Sequence, residues 1–286
     1  MESVSELMEA CEALARGAGA TLRERWSKPR TVEHKGLIDL VTDADKASEE
    51  YLVTQVRQRF PAHSILAEES GAHEQQGASV VWVMDPLDGT TNYAHGFPHF
   101  NVSVAACTAA RGPALAGCVM DPLRNEAFVV GKGLGAWLVT TQPNGQTTRT
   151  RLQVTPCDDL GKSLLATGFP YDRHRHADNN HPEHDALSLR SQGVRRPGAA
   201  ALDLAYVAAG RLDGYWEAHL SPWDVAAGAL LVLEAGGVVT GYDGVPFDGS
   251  QSAIISAGPR LHAALREAVL NTRRQRGFPD VPVARK

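Results

Sequence analysis

The chain has 286 residues, with 28 lysines and arginines against 33 aspartates and glutamates, a formal charge of −5 with histidine neutral. That balance argues against a broad, sequence-independent grip on nucleic acid. With 43% apolar and 21% charged residues the chain reads as globular with a substantial core, not disordered or fibrous, and its length suits one large domain or two lobes sharing a cleft. Apolar stretches such as Ala226–Leu233 and Val80–Met84 fall far short of the roughly 20 residues that cross a bilayer. Glu2, Glu6 and Glu9 interrupt the N-terminus, which lacks the basic start and unbroken apolar centre of a secretory leader. Cys11, Cys107, Cys118 and Cys157 form no C-x-x-C pair and are too sparse to staple the fold. Reduced thiols in a cytoplasmic protein are expected, with no metal–cysteine site.

In chain order, Leu7, Cys11, Leu14, Ala15, Ala18 and Leu22 recur at three and four, which predicts an amphipathic helix from Ser5 to Trp26. After a short apolar segment at Leu37–Val41, Thr42 and Asp45 have the spacing of a capping box, opening a second helix from about Asp43 to Phe60. Ser64–Ala67 and Val80–Met84 read as buried strands, each ending in acids. Strands near 101–109, 115–121, 126–130 and 136–139 follow as an antiparallel meander. The polar stretch Thr140–Thr150, with Pro143-Asn144-Gly145 as a turn, is the best candidate boundary between lobes. Beyond it come a strand (Ser163–Thr167), a helix (Ala199–Ala209), a strand (Gly214–Glu217), a helix (Pro222–Ala235), a strand (Ala253–Ser256) and a helix (Pro259–Asn271), the alternation of a sheet flanked by helices. The basic, proline-bearing tail after Arg273 is expected to fray.

The most informative segment is Trp82-Val83-Met84-Asp85-Pro86-Leu87-Asp88-Gly89-Thr90-Thr91-Asn92, a buried-type strand that discharges into two aspartates, a glycine turn and hydroxyls. Pro86 stiffens the turn, so Asp85 and Asp88 can converge with the carbonyl of Leu87 between them. Oxygen donors of this kind suit a hard cation such as magnesium, which binds through a few carboxylates, waters and substrate phosphate. Gly89-Thr90-Thr91 would present backbone N–H groups at a helix start, where partial positive charge favours phosphate. The plainer alternative is a capped strand-to-helix turn. Glu68 and Glu69 are paired carboxylates that either stay solvated or share a cation. Asp224, in the first turn of a helix opened by Pro222 and Trp223, is otherwise explained by the helix dipole, and Asp45 by capping.

Taken together, Asp39-Leu40-Val41-Thr42-x-x-Asp45, Glu68-Glu69-Ser70, Asp85-Pro86-Leu87-Asp88-Gly89-Thr90-Thr91-Asn92 and Trp223-Asp224-Val225-Ala226-Ala227-Gly228 closely resemble the inositol monophosphatase family in order and spacing, over about residues 5 to 270. The resemblance implies an α/β (α+β) fold, a layered αβαβα sandwich of the inositol monophosphatase and sugar phosphatase type. It would form a single catalytic domain over residues 1–286, with a metal-binding lobe at about 1–145 and a completing α/β lobe at 146–286. It further implies Mg2+-dependent, lithium-sensitive hydrolysis of a small phosphate monoester, foremost myo-inositol monophosphate. One metal would be held by Glu68, Asp85 and the Leu87 carbonyl and a second by Asp85, Asp88 and Asp224, with room for a third near Glu68. Catalytic roles fall to Asp45, Thr90 and Glu68, with Thr90, bonded to Asp45, orienting and deprotonating a water. Asp88, Gly89, Thr90, Gly198, Ala199, Ala200 and Glu217 would contact the substrate.

The sequence departs from the family at Ala199, where relatives usually carry a hydroxyl, and this bears on which substrate is preferred. Fructose-1,6-bisphosphatases, 3′-phosphoadenosine-5′-phosphate phosphatases and histidinol phosphatases belong to the same family and rank lower, because Arg196-Pro197-Gly198 to Tyr206 resembles the bacterial inositol monophosphatase branch. Some bacterial relatives also bind transcription machinery, so a regulatory binding role is the second reading. A homodimer is expected on the same resemblance, while the charge balance and the short apolar stretches lead to the expectation of no direct nucleic-acid or membrane partner. His174, His176, His181 and His184 read as a solvated loop, His95 and His99 as packing or hydrogen-bonding support, Lys35 as a surface lysine, and Trp137, Trp216 and Trp223 as core or interface anchors.

Overall fold

The structure is a computed structural model that describes residues 2–29, 31–34, 40–142 and 144–283. Lys35 and Asp39 lie outside the described residues. The chain opens with α1 (Val4–Trp26), started by a capping box in which Ser3 N–H donates to Glu6 Oε2 at 2.7 Å. β1 (Val32–His34) pairs antiparallel with β2 (Leu40–Thr42), which leads into α2 (Asp43–Arg59). Then come β3 (Ser64–Ala67), β4 (Gly71–His73), β5 (Val81–Asp88), the short α3 (Thr90–Ala94), β6 (Asn101–Cys107), β7 (Ala114–Asp121), β8 (Glu126–Gly131), β9 (Gly135–Thr141) and β10 (Thr147–Arg151). These strands form one sheet in the order β10-β9-β8-β7-β6-β5-β3-β4. From β5 to β10 neighbouring strands run antiparallel, and β6 to β9 are the meander that the strand-and-turn rhythm predicts. Within the stretch read as a boundary, β10 pairs antiparallel with β9, Thr147 opposite Thr141, so the first sheet extends as far as Arg151; Pro143 lies outside the described residues.

The second sheet is built from β11 (Leu164–Thr167), β12 (Gly193–Arg195), β13 (Gly214–Ala218), β14 (Val238–Gly241) and β15 (Ala253–Ala257), in the order β12-β11-β13-β15-β14. Its helices are α4 (His181–Ser188), α5 (Ala200–Ala208), α6 (Pro222–Glu234) and α7 (His262–Gln275). Period-two alternation sorts each strand's side chains between two apolar layers. Trp82, Met84, Val102, Val104, Cys118 and Val129 of the first sheet pack on α1 and α2. Val83, Ala105, Val119 and Phe128 face the other way, onto α5 and α6, which also cover Ala166, Tyr215 and Ile254 of the second sheet. The far side of that sheet, Leu165, Trp216 and Ile255, is closed by α7 and by Leu187 of α4. The result is the alternating helix–sheet sandwich that the resemblance implies.

Two expectations are corrected. The histidine-rich segment is not wholly a solvated loop, because His181 and His184 lie on α4, which Pro182 opens and buried Leu187 docks. The tail after Arg273 does not fray within the described residues. Arg274 pairs with Asp280 at 2.6 Å, and buried Arg273 donates to the carbonyl of Pro279. All four cysteines are free thiols, and burial pushes the Cys107 thiol up to about 12. Among the described residues no helix is long and apolar enough to cross a membrane.

Candidate active site

β5 delivers the acids. Asp85 pairs with Ser103 of β6 while Asp88 pairs with Asn101, so β5 takes three steps where β6 takes two. Residues an odd number of steps apart face opposite sides of a regular strand. The extra residue is a bulge, which re-aims the side chains that follow it and brings Asp85 and Asp88 into one neighbourhood. Ser48 of α2 fixes the bulge by donating its hydroxyl to the carbonyl of Pro86 at 2.7 Å, and Leu87 N–H donates to Asp85 Oδ1 at 2.9 Å. Gly89 then turns the chain at φ 92°, where a Cβ would lie 3.1 Å from the carbonyl oxygen of His99. Glycine alone adopts that conformation freely in so little space.

Thr90 opens α3 directly beyond the turn. Its Oγ1 lies 3.0 Å from both Asp45 Oδ1 and the carbonyl oxygen of Leu87, two acceptors that its single proton serves in alternation. Asp45 is fully buried at the start of α2, where the Thr42 N–H at 2.8 Å and the Thr42 hydroxyl at 2.5 Å both donate to Oδ2. The capping box and the bond to Thr90 therefore coexist, one on each oxygen of the same carboxylate. Burial pushes Asp45 up to about 6 against the opposing hydrogen bonds from Thr42 and Thr90, and Glu69 adds to the rise.

The remaining acids share one electrostatic environment. Asp85, 2% exposed, is raised well above the usual carboxylate range, first by burial and then by the charges of Glu68, Asp88 and Asp224. Asp224, whose Oδ2 accepts from Ser221 N–H at 2.7 Å, is pushed up to about 8 by desolvation, with Asp88 and Glu217 adding to it. It stands on α6, whose first turn is tied to β6 by Ser103 Oγ donating to the Trp223 carbonyl at 3.1 Å. Asp88 is raised by burial although three donors oppose it: Asn101 Nδ2 at 2.8 Å, Ala201 N–H at 2.9 Å and the N–H of Ala200. Its carboxylate thus ties the end of β5 to the N-terminus of α5, where helix N–H groups favour negative charge. Among the described residues, no three His, Cys, Asp or Glu side chains already form a closed metal-ligating cluster. Glu68, Asp88 and Asp224 are near enough to raise the proton affinity of Asp85 without being gathered into a finished cage.

A second wall faces them. Gly198 turns at φ 83°, and buried Ala199 is the N-cap of α5 with no side-chain cap. Asn92 of α3 braces this wall by donating to the carbonyls of Pro197 and His99, at 2.8 and 2.7 Å. Glu217 in β13 accepts a short hydrogen bond from Tyr215 and is pushed up to about 8, chiefly by burial, with Asp203 and Asp88 adding and Arg196 opposing. His99 is buried with Nε2 3.7 Å from Asp203 Oδ1, too far for a hydrogen bond, and neither atom has a hydrogen-bond partner among the described residues. The residues singled out from the sequence therefore fall into two connected groups, Asp45, Glu68, Asp85, Leu87, Asp88, Thr90 and Asp224 in one and Gly198, Ala199, Ala200 and Glu217 in the other, joined through Asp88. Sequence reasoning missed Ser48, Asn101, Asp203 and Tyr215. Asn101 and Ser103 did leave a trace, as polar residues alternating with valines in a strand that is otherwise apolar.

A buried carboxylate cluster beside a threonine–aspartate pair, carried on this sandwich, is the arrangement of a metal-assisted phosphatase. The chain belongs to the inositol monophosphatase family, which it matches over residues 3–275. It is 43% identical over 256 residues to an inositol-1-monophosphatase of Synechocystis sp., covering 89% of this chain and 85% of that one. It is 42% identical over 253 residues to the Nus factor SuhB of Salmonella typhimurium, covering 88% and 91%. Among solved structures, the inositol monophosphatase from Anabaena superposes with a TM-score of 0.81 at 41% identity, covering 93% of this chain and 96% of that one. Members of this family are generally metal-dependent and act on phosphorylated substrates.

Proposed function

We propose that this chain hydrolyses the phosphate monoester of a small polyol, with Mg2+ as its ion and myo-inositol monophosphate as its foremost substrate. The observation that carries the proposal is the line Thr42–Asp45–Thr90–Leu87, which runs from a helix cap into the carbonyl between two site aspartates. The donor set fits a hard cation, because every proposed ligand is oxygen and Asp85 lies under three like charges that a dication would relieve. Glu68, Asp85 and the Leu87 carbonyl are proposed for one ion, Asp85, Asp88 and Asp224 for a second, and the surroundings of Glu68 for a looser third. When bound, such ions neutralise developing charge and lower the proton affinity of a water.

The chain's own residues do the rest. Thr90 orients the attacking water, and Asp45 receives its proton through the Thr90 hydroxyl, a task for which a carboxyl near 6 is suited around neutral pH. Glu68 aids the same step from the first ligand set. The N–H groups of Gly89 and Thr90 hold phosphate oxygens, while Asp88, Gly198, Ala199, Ala200 and Glu217 bear on the substrate hydroxyls. Phosphoryl transfer asks for this positioning and charge neutralisation more than for a protein nucleophile. We further propose that the chain is one catalytic domain of two lobes, approximately 1–145 and 146–286 with β10 still in the first lobe's sheet, and that it works as a cytoplasmic homodimer.

Phosphate release from inositol monophosphate, fructose 1,6-bisphosphate, 3′-phosphoadenosine 5′-phosphate and histidinol phosphate, each with and without Mg2+, tests the reading. Full activity in Asp88→Asn would refute the metal assignment. The Nus-factor relatives favour a second reading, binding to transcription machinery. Rescue of a deletion strain by a turnover-dead Asp85→Asn protein would support it over catalysis.

A further inference from the structure

We infer that Asn180 is a positioning residue for Glu217, setting its carboxylate at the substrate wall by pinning the end of β11 to β13. The inference rests on the proposed role of Glu217 as a contact for substrate hydroxyls. Asn180 is 6% exposed and sits just before α4 in the left-handed region at φ 69°. Both polar atoms of its amide are bonded. Nδ2 donates to Thr167 Oγ1 at 2.7 Å and to the carbonyl of Gly168 at 2.6 Å, and Oδ1 accepts from Trp216 Nε1 at 2.7 Å. Indole N–H is a donor only, which fixes the amide's orientation. Thr167 Oγ1 in turn donates to the Trp216 carbonyl at 2.6 Å, closing a ring through Asn180, Thr167 and Trp216.

That ring lies where the backbone ladder gives out. Thr167 and Trp216 are the last register pair between β11 and β13, and Glu217 is the next residue of β13. Past this point the side chain of Asn180 takes over from backbone pairing in holding the two strand ends. Gly168 presses directly on the Glu217 carboxylate, so closely that a Cβ at 168 would overlap both carboxylate oxygens. Tyr215 donates to the same group. The carboxylate is thus held between the Gly168 backbone and the Tyr215 hydroxyl, and Asn180 sets where Gly168 stands. Arg273 of α7 steadies Asn180 in turn, bonding Asp178 on one side of it and Glu183 on the other at 2.8 and 2.9 Å.

A residue with a merely structural role would affect every substrate alike when replaced, whereas a positioning residue for Glu217 alters discrimination. The test uses Asn180→Gly, which keeps the left-handed backbone free of Cβ strain, and Asn180→Asp, which keeps the acceptor for Trp216 but loses both donors. Glu217→Gln runs in parallel. For each protein in Mg2+, kcat and KM are measured on myo-inositol monophosphate and on 4-nitrophenyl phosphate, an ester without ring hydroxyls. The ratio of kcat/KM between the two esters is expected to fall on the order of tenfold in Glu217→Gln, and similarly in both Asn180 variants, through KM for the inositol ester. Equal losses on both esters in Asn180→Gly, or a ratio that drops in Glu217→Gln but not in the Asn180 variants, would overturn the inference. An unchanged ratio in Glu217→Gln would overturn the role of Glu217 and the inference with it, and hydrolysis of neither ester by the wild type would overturn the phosphatase reading beneath both. Should Asn180→Gly fail to fold, Asn180→Asp decides by the same criteria.

Discussion

Replacing Asp45 with asparagine separates a catalytic carboxylate from a helix cap. Thr42 directs both its N–H and its hydroxyl at Oδ2 of Asp45, so the amide oxygen of the substituted side chain must stay there and its Nδ2 must turn toward Thr90. The Thr90 hydroxyl then accepts from that amide and gives its own proton to the Leu87 carbonyl, leaving no group to receive a proton from it. The cap survives and the proton path does not. A loss of about 10²- to 10⁴-fold in kcat, with KM little changed, is the expected size for a positioned acid–base group. The pH dependence gives a second readout. The Asp45 carboxyl is raised from its ordinary 3.8 to about 6, mainly by burial. A raised carboxyl favours the protonated form in the folded protein, so its contribution to stability is full below about 3.8 and is lost as pH climbs through 6. The rise corresponds to about 3 kcal/mol. The stability difference between wild type and Asp45→Asn, measured by urea unfolding, should therefore shift by about that amount between pH 4 and 7 in favour of the variant. In the rate profile the wild type should lose kcat/KM on the acid side with a midpoint at about 6, or lower once a bound cation adds its charge, and the variant should lack that limb. If Asp45→Asn kept kcat/KM within about threefold and retained the acid limb, Asp45 would be a cap and nothing more.

Three further outcomes are expected. Ala199→Ser supplies the side-chain cap that α5 lacks and should add about 1 kcal/mol of stability in denaturant titration. The same hydroxyl should shift the preference between inositol monophosphate and other polyol phosphates by up to about tenfold, and an unchanged preference would remove residue 199 from the substrate wall. Gly89→Ala forces a Cβ into a left-handed turn 3.1 Å from the His99 carbonyl oxygen, and a melting curve like the wild type's would contradict the assigned turn, since about 2 kcal/mol or more should be lost. Arg273→Met leaves buried Glu183 without its guanidinium and should cost about 3–5 kcal/mol near neutral pH. Burial already raises the Glu183 carboxyl, so protonation at low pH should shrink that loss, and a loss independent of pH would count against the buried ion pair.

How much of this site can be read from sequence depends on how far its physics is local. The segment from Trp82 to Asn92 carries strand, turn glycine and helix start within one window, so its character as a site is legible directly. The convergence of Asp85 and Asp88 is legible as a fact but not as a cause. Pro86 suggests a stiff turn, whereas the carboxylates meet because of a bulge defined against Ser103 and Asn101 on β6, and a register is a property of two strands. The capping box at Thr42 and Asp45 is local chemistry, yet nothing near position 45 announces that its second oxygen meets Thr90, 45 residues away. The same limit explains both departures from expectation in the second half. α4 has eight residues, too few to persist on propensity alone, and is held by Leu187 in the core and by Glu183 bonding an arginine 90 residues further on. The tail holds because Arg273, a basic residue near a helix end and so expected to face solvent, has its carboxylate partners waiting on the loop and helix around Asn180. Basic and polar composition predicts exposure only while the partner is water. Where distant carboxylates and an asparagine complete the hydrogen bonding, the same residues become the support on which the substrate wall stands.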